Sequence, residues 1–336
     1  MSTYLPIKNK RNGEKMKLLL YLSLPFFLIC TILNAQQMNT LSLIQPDEKH
    51  GYNYPYFLFI PKNVEKQTVL MVVPNNTGTV SDTLKVHEDE ARELASRYYI
   101  GGALAEKLKL PVLVPVFPRP ESQWKIYTHA LDRDTIMITE GEMKRLDMQL
   151  IEMINDARER LYKMGITTNE KIFLNGFSAS GTFVNRFTIL HPEKVLAAAS
   201  GGVNGVCILP FAELKGKTLE YPIGTADYEK ITGRRFDIAQ YMQVPQFIYM
   251  GEKDENDATL YKDSYSQDES GLICELLGKK MMPDRFEACI SLYLQANLKA
   301  VEFKIYPGLA HKVDKNIFAD LCSFFQKHMA DLNSGD

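Results

Sequence analysis

Cysteine and tryptophan are scarce in this chain, which has five cysteines and one tryptophan in 336 residues. Beyond residue 35 the thiols are Cys207, Cys274, Cys289 and Cys322, too scattered for a dense disulfide scaffold or a Cys-x-x-Cys metal site. Buried free thiols are the expectation. No His-Glu-x-x-His and no phosphate-cradling glycine loop occurs, so neither a metal nor a nucleotide cofactor is implied. Basic charge is also not in excess, with 39 Lys and Arg against 41 Asp and Glu. Leaving out residues 1–35 removes five of the basic and one of the acidic side chains, which gives 34 against 40 and a formal charge of −6. A nucleic-acid partner is not expected of such a surface. After residue 35 no apolar run is long enough to span a bilayer, and no internal repeat or low-complexity linker divides the chain.

The first 35 residues read differently. Lys8, Lys10, Arg11, Lys15 and Lys17 precede an almost wholly apolar stretch from 18 to 33, and Leu33-Asn34-Ala35 stands before Gln36-Gln37. That is the pattern of a secretory signal peptide, complete even if translation starts at Met16. The apolar run is short for a span and contains Pro25, and Ile29 is bulky for a lipoprotein cleavage before Cys30. The expectation is cleavage near Ala35, export to the periplasm or medium, no stable membrane span afterwards, and a mature single domain over 36–336.

With 45% hydrophobic and 24% charged residues, the remainder has the composition of a protein with a full-sized core. Strand-length apolar runs occur at Tyr54 to Ile60, Thr68 to Val73, Val112 to Phe117, Lys171 to Asn175, Val195 to Ser200, Gln246 to Met250 and Val301 to Tyr306. Between them, helical periodicity runs over 88–108 with a break at Gly101-Gly102, and over 141–163, 182–190, 284–297 and 315–330. Alternation of this kind predicts an α/β fold, a mostly parallel sheet with helices on both faces. The long stretches 202–245 and 258–300 are expected as insertions able to form a cap.

A serine hydroxyl becomes a nucleophile when a base removes its proton and a fixed backbone presents it. The run Phe173-Leu174-Asn175-Gly176-Phe177-Ser178-Ala179-Ser180-Gly181 is an apolar strand, a glycine, a serine and small residues leading into a helix. This fits a nucleophile elbow at Ser178, except that Ser180 replaces the usual second glycine and is itself a weaker nucleophile candidate. Downstream, Gly251-Glu252-Lys253-Asp254 follows one strand, and Pro307-Gly308-Leu309-Ala310-His311 follows the next. An acid and a histidine in that order can orient and supply a general base. Asp257 is the alternative acid. A calcium loop over 254–259 is disfavoured, because Ala258 and Thr259 break the alternation of oxygen ligands.

Together these three motifs resemble the α/β-hydrolase superfamily, nearest its esterase-depolymerase and prolyl-oligopeptidase-like branches, over about residues 50–330. The resemblance implies Ser178 as nucleophile, Asp254 as orienting acid and His311 as base. An oxyanion hole is then expected from the Ala179 N–H and from Asn75 or Asn76, which stand where the superfamily often has His-Gly-Gly. The loop 117–129 follows another strand and brings Arg119, Trp124 and Tyr127 to the same rim, suited to a small-molecule or sugar-linked ester. His129 precedes the serine and belongs to no such pattern, so a structural role is expected of it. The function expected is a secreted carboxylic ester hydrolase. The alternatives are a serine peptidase of the prolyl-oligopeptidase-like type, which usually carries a large extra domain not seen in this chain, and a silent binding protein on the same fold.

Overall fold

A computed structural model describes residues 39–76 and 78–333, with side chains through residue 330. The leader expected over 1–35 lies outside the described residues. From Thr40 onward the chain forms one compact unit. Its centre is an eight-stranded sheet: β1 (Thr40–Ile44), β2 (Tyr56–Ile60), β3 (Met71–Val72), β4 (Val112–Pro115), β5 (Ile172–Phe177), β6 (Val195–Gly201), β7 (Gln246–Gly251) and β8 (Val301–Tyr306). In space they run β1-β2-β4-β3-β5-β6-β7-β8. Pairing is antiparallel for β1 with β2 and β2 with β4, and parallel everywhere else.

Side chains alternate faces along a strand, and here the alternation sorts the core into two layers. Ile172 and Leu174 of β5, with Ile248 and Met250 of β7, join one cluster. Helices α3 (Leu146–Lys163) and α4 (Ala179–Leu190) close that face through Leu150, Ile154, Phe183 and Phe187. Phe173 of β5, with Phe247 and Tyr249 of β7, belongs to the other cluster. There α1 (Leu84–Ser96), α2 (Gly102–Leu108) and α7 (Lys315–Asn333) supply Ala91, Leu104, Leu321 and Phe325. Both faces of the sheet are thus apolar and covered, which is why its inner strands read as continuous hydrophobic runs.

Several boundaries differ from the sequence expectation. β1 is unforeseen: Thr40-Leu41-Ser42-Leu43-Ile44 is a short, half-exposed edge strand with only weak alternation. The run read as a strand from 68 to 73 is buried from Val69 to Val73 but pairs as a ladder only at Met71–Val72, while Gln67–Thr68 pairs with Thr167–Thr168 outside the main sheet. The helix expected from 141 begins at Leu146, because Arg145 takes a left-handed backbone (φ 47°) and turns its guanidinium onto Asp147. Gly101 and Gly102 split α1 from α2 as read, and a Cβ on Gly101 would lie 1.9 Å from the Leu94 carbonyl oxygen. The helix expected over 284–297 is α6 (Phe286–Gln295), with non-helical Met282 in the stretch before it.

Parts of residues 202–245 and 258–300 pack into the core. Ile208, Leu209, Tyr241, Ile273 of α5 (Gln267–Leu277), Phe286 and Tyr293 extend the cluster that α3 and α4 close. Cys207, Cys274, Cys289 and Cys322 are free thiols, three buried and Cys274 half-buried. No described helix is long and apolar enough to cross a membrane.

Candidate active site

Parallel strands all end on the same rim, so the loops after β3, β4, β5, β7 and β8 converge there. The loop after β5 is the tightest of them. Ser178 sits between β5 and α4 at φ 63° and ψ −131°, a conformation that L-residues rarely hold. Its N–H is pinned to the Gly201 carbonyl oxygen at 2.9 Å. A Cβ on Gly176 would fall 2.3 Å from the Ser180 carbonyl oxygen, and one on Gly181 would fall 2.2 Å from that of Gly201. Glycine is therefore required at both positions by close backbone approach. Position 180 has no such clash. The buried Ser180 hydroxyl donates to the Phe177 carbonyl at 2.8 Å and accepts from the Phe177 N–H at 3.0 Å, so it ties the turn from inside. Ser178, half-buried, is the serine of the turn that lines the cavity.

His311 reaches the rim from the loop after β8. Its Nδ1 lies 2.8 Å from Asp254 Oδ2, and in the tautomer that donates there Nε2 is the acceptor nitrogen. Asp254 is 3% exposed, and its other oxygen accepts the Asn256 backbone N–H at 3.0 Å. Phe177 backs the imidazole, with ring centroids 4.6 Å apart. Asp257, the other acid considered from sequence, is directed elsewhere. Its carboxylate pairs with the fully buried Arg285 and accepts from the Thr259 N–H at 3.1 Å and Oγ1 at 2.7 Å. The loop between β7 and the second insertion thus commits its two aspartates to different partners, Asp254 to His311 and Asp257 to Arg285.

Between serine and histidine lies a side chain that the sequence reading passed over. Asn256 Nδ2 is 3.0 Å from His311 Nε2 and 3.4 Å from Ser178 Oγ. In the run Asp254-Glu255-Asn256-Asp257 the carboxylates carry the sequence signal, and nothing in it distinguishes an amide that turns into the site from one in solvent.

The loop after β3 carries both candidate oxyanion asparagines, and they differ. Asn75 is 1% exposed, and its side chain is committed: Nδ2 donates to the Phe117 carbonyl at 2.9 Å, and Oδ1 accepts the Phe117 N–H at 3.1 Å. That amide fastens the β3 loop to the segment after β4. Asn76 is half-buried, lines the cavity at Ser178, and donates from Nδ2 to the Phe177 carbonyl at 3.2 Å. Ala179, 1% exposed, opens α4 directly after the serine. His129 is fully buried behind this layer, with Nε2 2.9 Å from the Phe117 carbonyl oxygen and its ring edge-on to His87.

Ser178 opens on a cavity of about 580 Å³. Arg119, Trp124, Tyr127, Asn204, Tyr261 and Asp263 are among the residues that line it. The Arg119 guanidinium lies 3.8 Å above the Tyr127 ring and pairs with Asp263 at 2.7 Å, so a cation–π contact and an ion pair fix its plane. Trp124 and Tyr261 are exposed, at 43% and 49%. Asp132 is completely buried, and burial pushes its carboxyl up to about 7 although it accepts the Thr135 and Tyr127 N–H groups. Asn204, Tyr261 and Asp263 had no recognisable signal in sequence, because each comes from an insertion without a motif.

No protein-family model matches the chain, and no curated protein matches it. Solved structures do. Poly(aspartic acid) hydrolase-1 from Sphingomonas sp. KT-1 superposes with a TM-score of 0.55 at 16% identity, over 86% of this chain and 98% of that one. LpqC, a poly(3-hydroxybutyrate) depolymerase from Bordetella parapertussis, gives a TM-score of 0.51 at 17% identity, over 85% of this chain and 95% of that one. This chain has the α/β-hydrolase fold. In the α/β-hydrolase fold as this chain builds it, Ser178 follows the fifth sheet strand, Asp254 the seventh and His311 the eighth.

Proposed function

We propose that the chain is a serine hydrolase of carboxylic esters. The observation that carries this reading is a single hydrogen-bonded constellation. A half-buried serine that lines the cavity is held at a strained backbone position, and the Asn256 amide joins it to a histidine whose other ring nitrogen is anchored on a buried aspartate. In the proposed reaction Ser178 Oγ attacks the ester carbonyl while His311 Nε2 takes its proton and then gives it to the leaving alcohol. Water, activated by the same nitrogen, releases the acid from the acyl-enzyme. Asp254 keeps the imidazole in the required tautomer. The backbone N–H groups of Ala179 and Asn76 are the proposed donors to the oxyanion, since the side-chain amide of Asn75 is used elsewhere.

The aromatic and ion-paired wall at Trp124, Tyr127 and Arg119 supports a substrate with a flat or polyhydroxylated group, such as a sugar-linked ester. Two of the solved structures with this fold are named for polymers, a poly(aspartic acid) hydrolase and a poly(3-hydroxybutyrate) depolymerase, which agrees with a hydrolytic role. The leader pattern at 1–35 extends the proposal to an enzyme that works outside the cytoplasm, to be checked by N-terminal sequencing of the protein recovered from medium or periplasm.

The deciding assay is hydrolysis of short-chain p-nitrophenyl esters and matched p-nitroanilides by wild type, Ser178→Ala and His311→Ala. Ester turnover should fall by at least about 10³-fold in both variants. Turnover that survives in Ser178→Ala would overturn the reading, and preferential cleavage of the anilides would move it to a peptidase.

A further inference from the structure

The position of Asn256 has a mechanistic consequence. With Nδ1–H given to Asp254, His311 Nε2 is an acceptor, and the only orientation of Asn256 that satisfies it places the amide nitrogen there. One amide hydrogen points at His311 Nε2 at 3.0 Å and the other at Ser178 Oγ at 3.4 Å. The lone pair that must receive the serine proton already holds a hydrogen bond from Asn256. Likewise the serine oxygen, which must donate, is in the position of an acceptor. Serine and histidine meet through the amide rather than directly.

We propose that Asn256 is a latch, a positioning residue that keeps Ser178 and His311 uncoupled until a substrate in the cavity displaces its side chain. This rests on the reading of Ser178 and His311 as nucleophile and base. The backbone of Asn256 is fixed at two points: its N–H donates to Asp254 Oδ1 at 3.0 Å, and its carbonyl accepts from Asn204 Nδ2 at 3.2 Å. Its side chain has one bond of the same length, 3.0 Å to His311 Nε2, and two longer ones. The contact to Ser178 is 3.4 Å, and the bond from the Tyr261 hydroxyl to Oδ1 is also 3.4 Å, both at the long end of hydrogen bonding. Release therefore needs only rotation of one side chain, while the loop that carries Asp254 stays in place. Tyr261 couples the latch to the ligand, because this half-exposed ring forms the cavity wall and also touches the amide oxygen. A group that packs on Tyr261 takes away one of the latch's holds as it arrives.

The latch makes a prediction opposite to that of ordinary damage. Removing it should speed reaction with a reagent too small to fill the cavity, and should help a cavity-filling substrate much less. The experiment is the second-order rate of labelling by a small alkyl fluorophosphonate, measured for wild type, Asn256→Ala, Tyr261→Phe and Ser178→Ala. In parallel, kcat and KM are measured for a short-chain and a bulky aryl ester, with melting temperature as a check on folding.

Asn256→Ala should label roughly 3- to 10-fold faster than wild type, the equivalent of one net hydrogen bond released. Tyr261→Phe should move in the same direction by less. The kcat/KM ratio of bulky to short ester should fall in Asn256→Ala. Slower labelling by a variant that melts like wild type would overturn the latch and make Asn256 a supporting donor instead, and unchanged labelling would overturn it as well. Should Asn256→Ala lose its fold, Tyr261→Phe decides, since its ring remains and only the hydroxyl goes. Labelling that persists in Ser178→Ala is the separate result that would remove the underlying catalytic reading.

Discussion

At position 180 a small polar residue stands where glycine is usual, and the physical reason is local. The clash that glycine avoids in this turn falls one residue later, at Gly181 against the Gly201 carbonyl. Position 180 is thereby free to carry a hydroxyl, which closes a ring of two hydrogen bonds on Phe177. Replacing it removes both bonds from a buried site. Ser180→Ala is expected to lower stability by about 1–3 kcal/mol in urea unfolding, while mass spectrometry of the fluorophosphonate adduct still finds it on residue 178. An adduct on Ser180 in the wild type would show the assignment of the two serines to be inverted. Which of the two hydroxyls faces the cavity could not be read from Gly-Phe-Ser-Ala-Ser-Gly, since both are flanked by small residues and their directions depend on a backbone angle of Ser178.

Between elements, α3 and α4 are joined by a charged contact as well as by their apolar faces. His191, at the end of α4, bonds through Nε2 to Asp147 Oδ2 at 2.9 Å, and Arg145 holds the same carboxylate with Nε at 2.9 Å and Nη2 at 2.7 Å. Burial alone would raise the Asp147 carboxyl, but Arg145 and His191 outweigh it and hold it well below the ordinary carboxylate range. Burial alone would likewise lower His191, but Asp147 and then Glu193 outweigh it and raise it above 6.5. A histidine raised in the folded state contributes stability that is complete below its unfolded pKa and is lost as pH climbs through the folded one. Asp147 stays ionised throughout that window, because its own loss lies below its ordinary 3.8. His191→Gln should therefore cost roughly 1–3 kcal/mol at pH 5.5 and progressively less as the pH is raised from 6.5 upward. Thermal melts of both proteins across pH 5.5–9 would show this. A gap that widens with pH would contradict it.

Across the whole molecule, the second insertion holds the acid loop. Arg285 is fully buried, pairs with Asp257, and donates to the Gly205 carbonyl at 3.1 Å and the Lys279 carbonyl at 3.0 Å. It connects the segment after β6, the segment after β7 and the stretch that leads into α6. Removing one partner of such a buried pair leaves the other charge without compensation. Arg285→Met should cost about 3–5 kcal/mol by that argument, and the Asp254 loop should become accessible to limited proteolysis before the rest of the domain. Loss of global stability with no preferential cleavage near Asp254 would mean that Arg285 serves the core alone.

The sheet, its two covered faces and the rim on which Ser178, Asp254 and His311 lie were legible in the sequence by itself. Hydrophobic periodicity and glycine spacing are local signals, and a parallel α/β order leaves few ways to connect them. What depended on tertiary structure is every choice between chemically similar neighbours. Asp254 rather than Asp257 meets the histidine because Arg285, 28 positions beyond Asp257, arrives from an insertion with no periodic signal and takes the second carboxylate. Asn75 is withdrawn from the cavity by Phe117, 42 positions away, and Asn256 is turned into it by the histidine that it caps. A sequence specifies which groups lie near a strand end, but their directions are set by partners brought together only when the chain has folded.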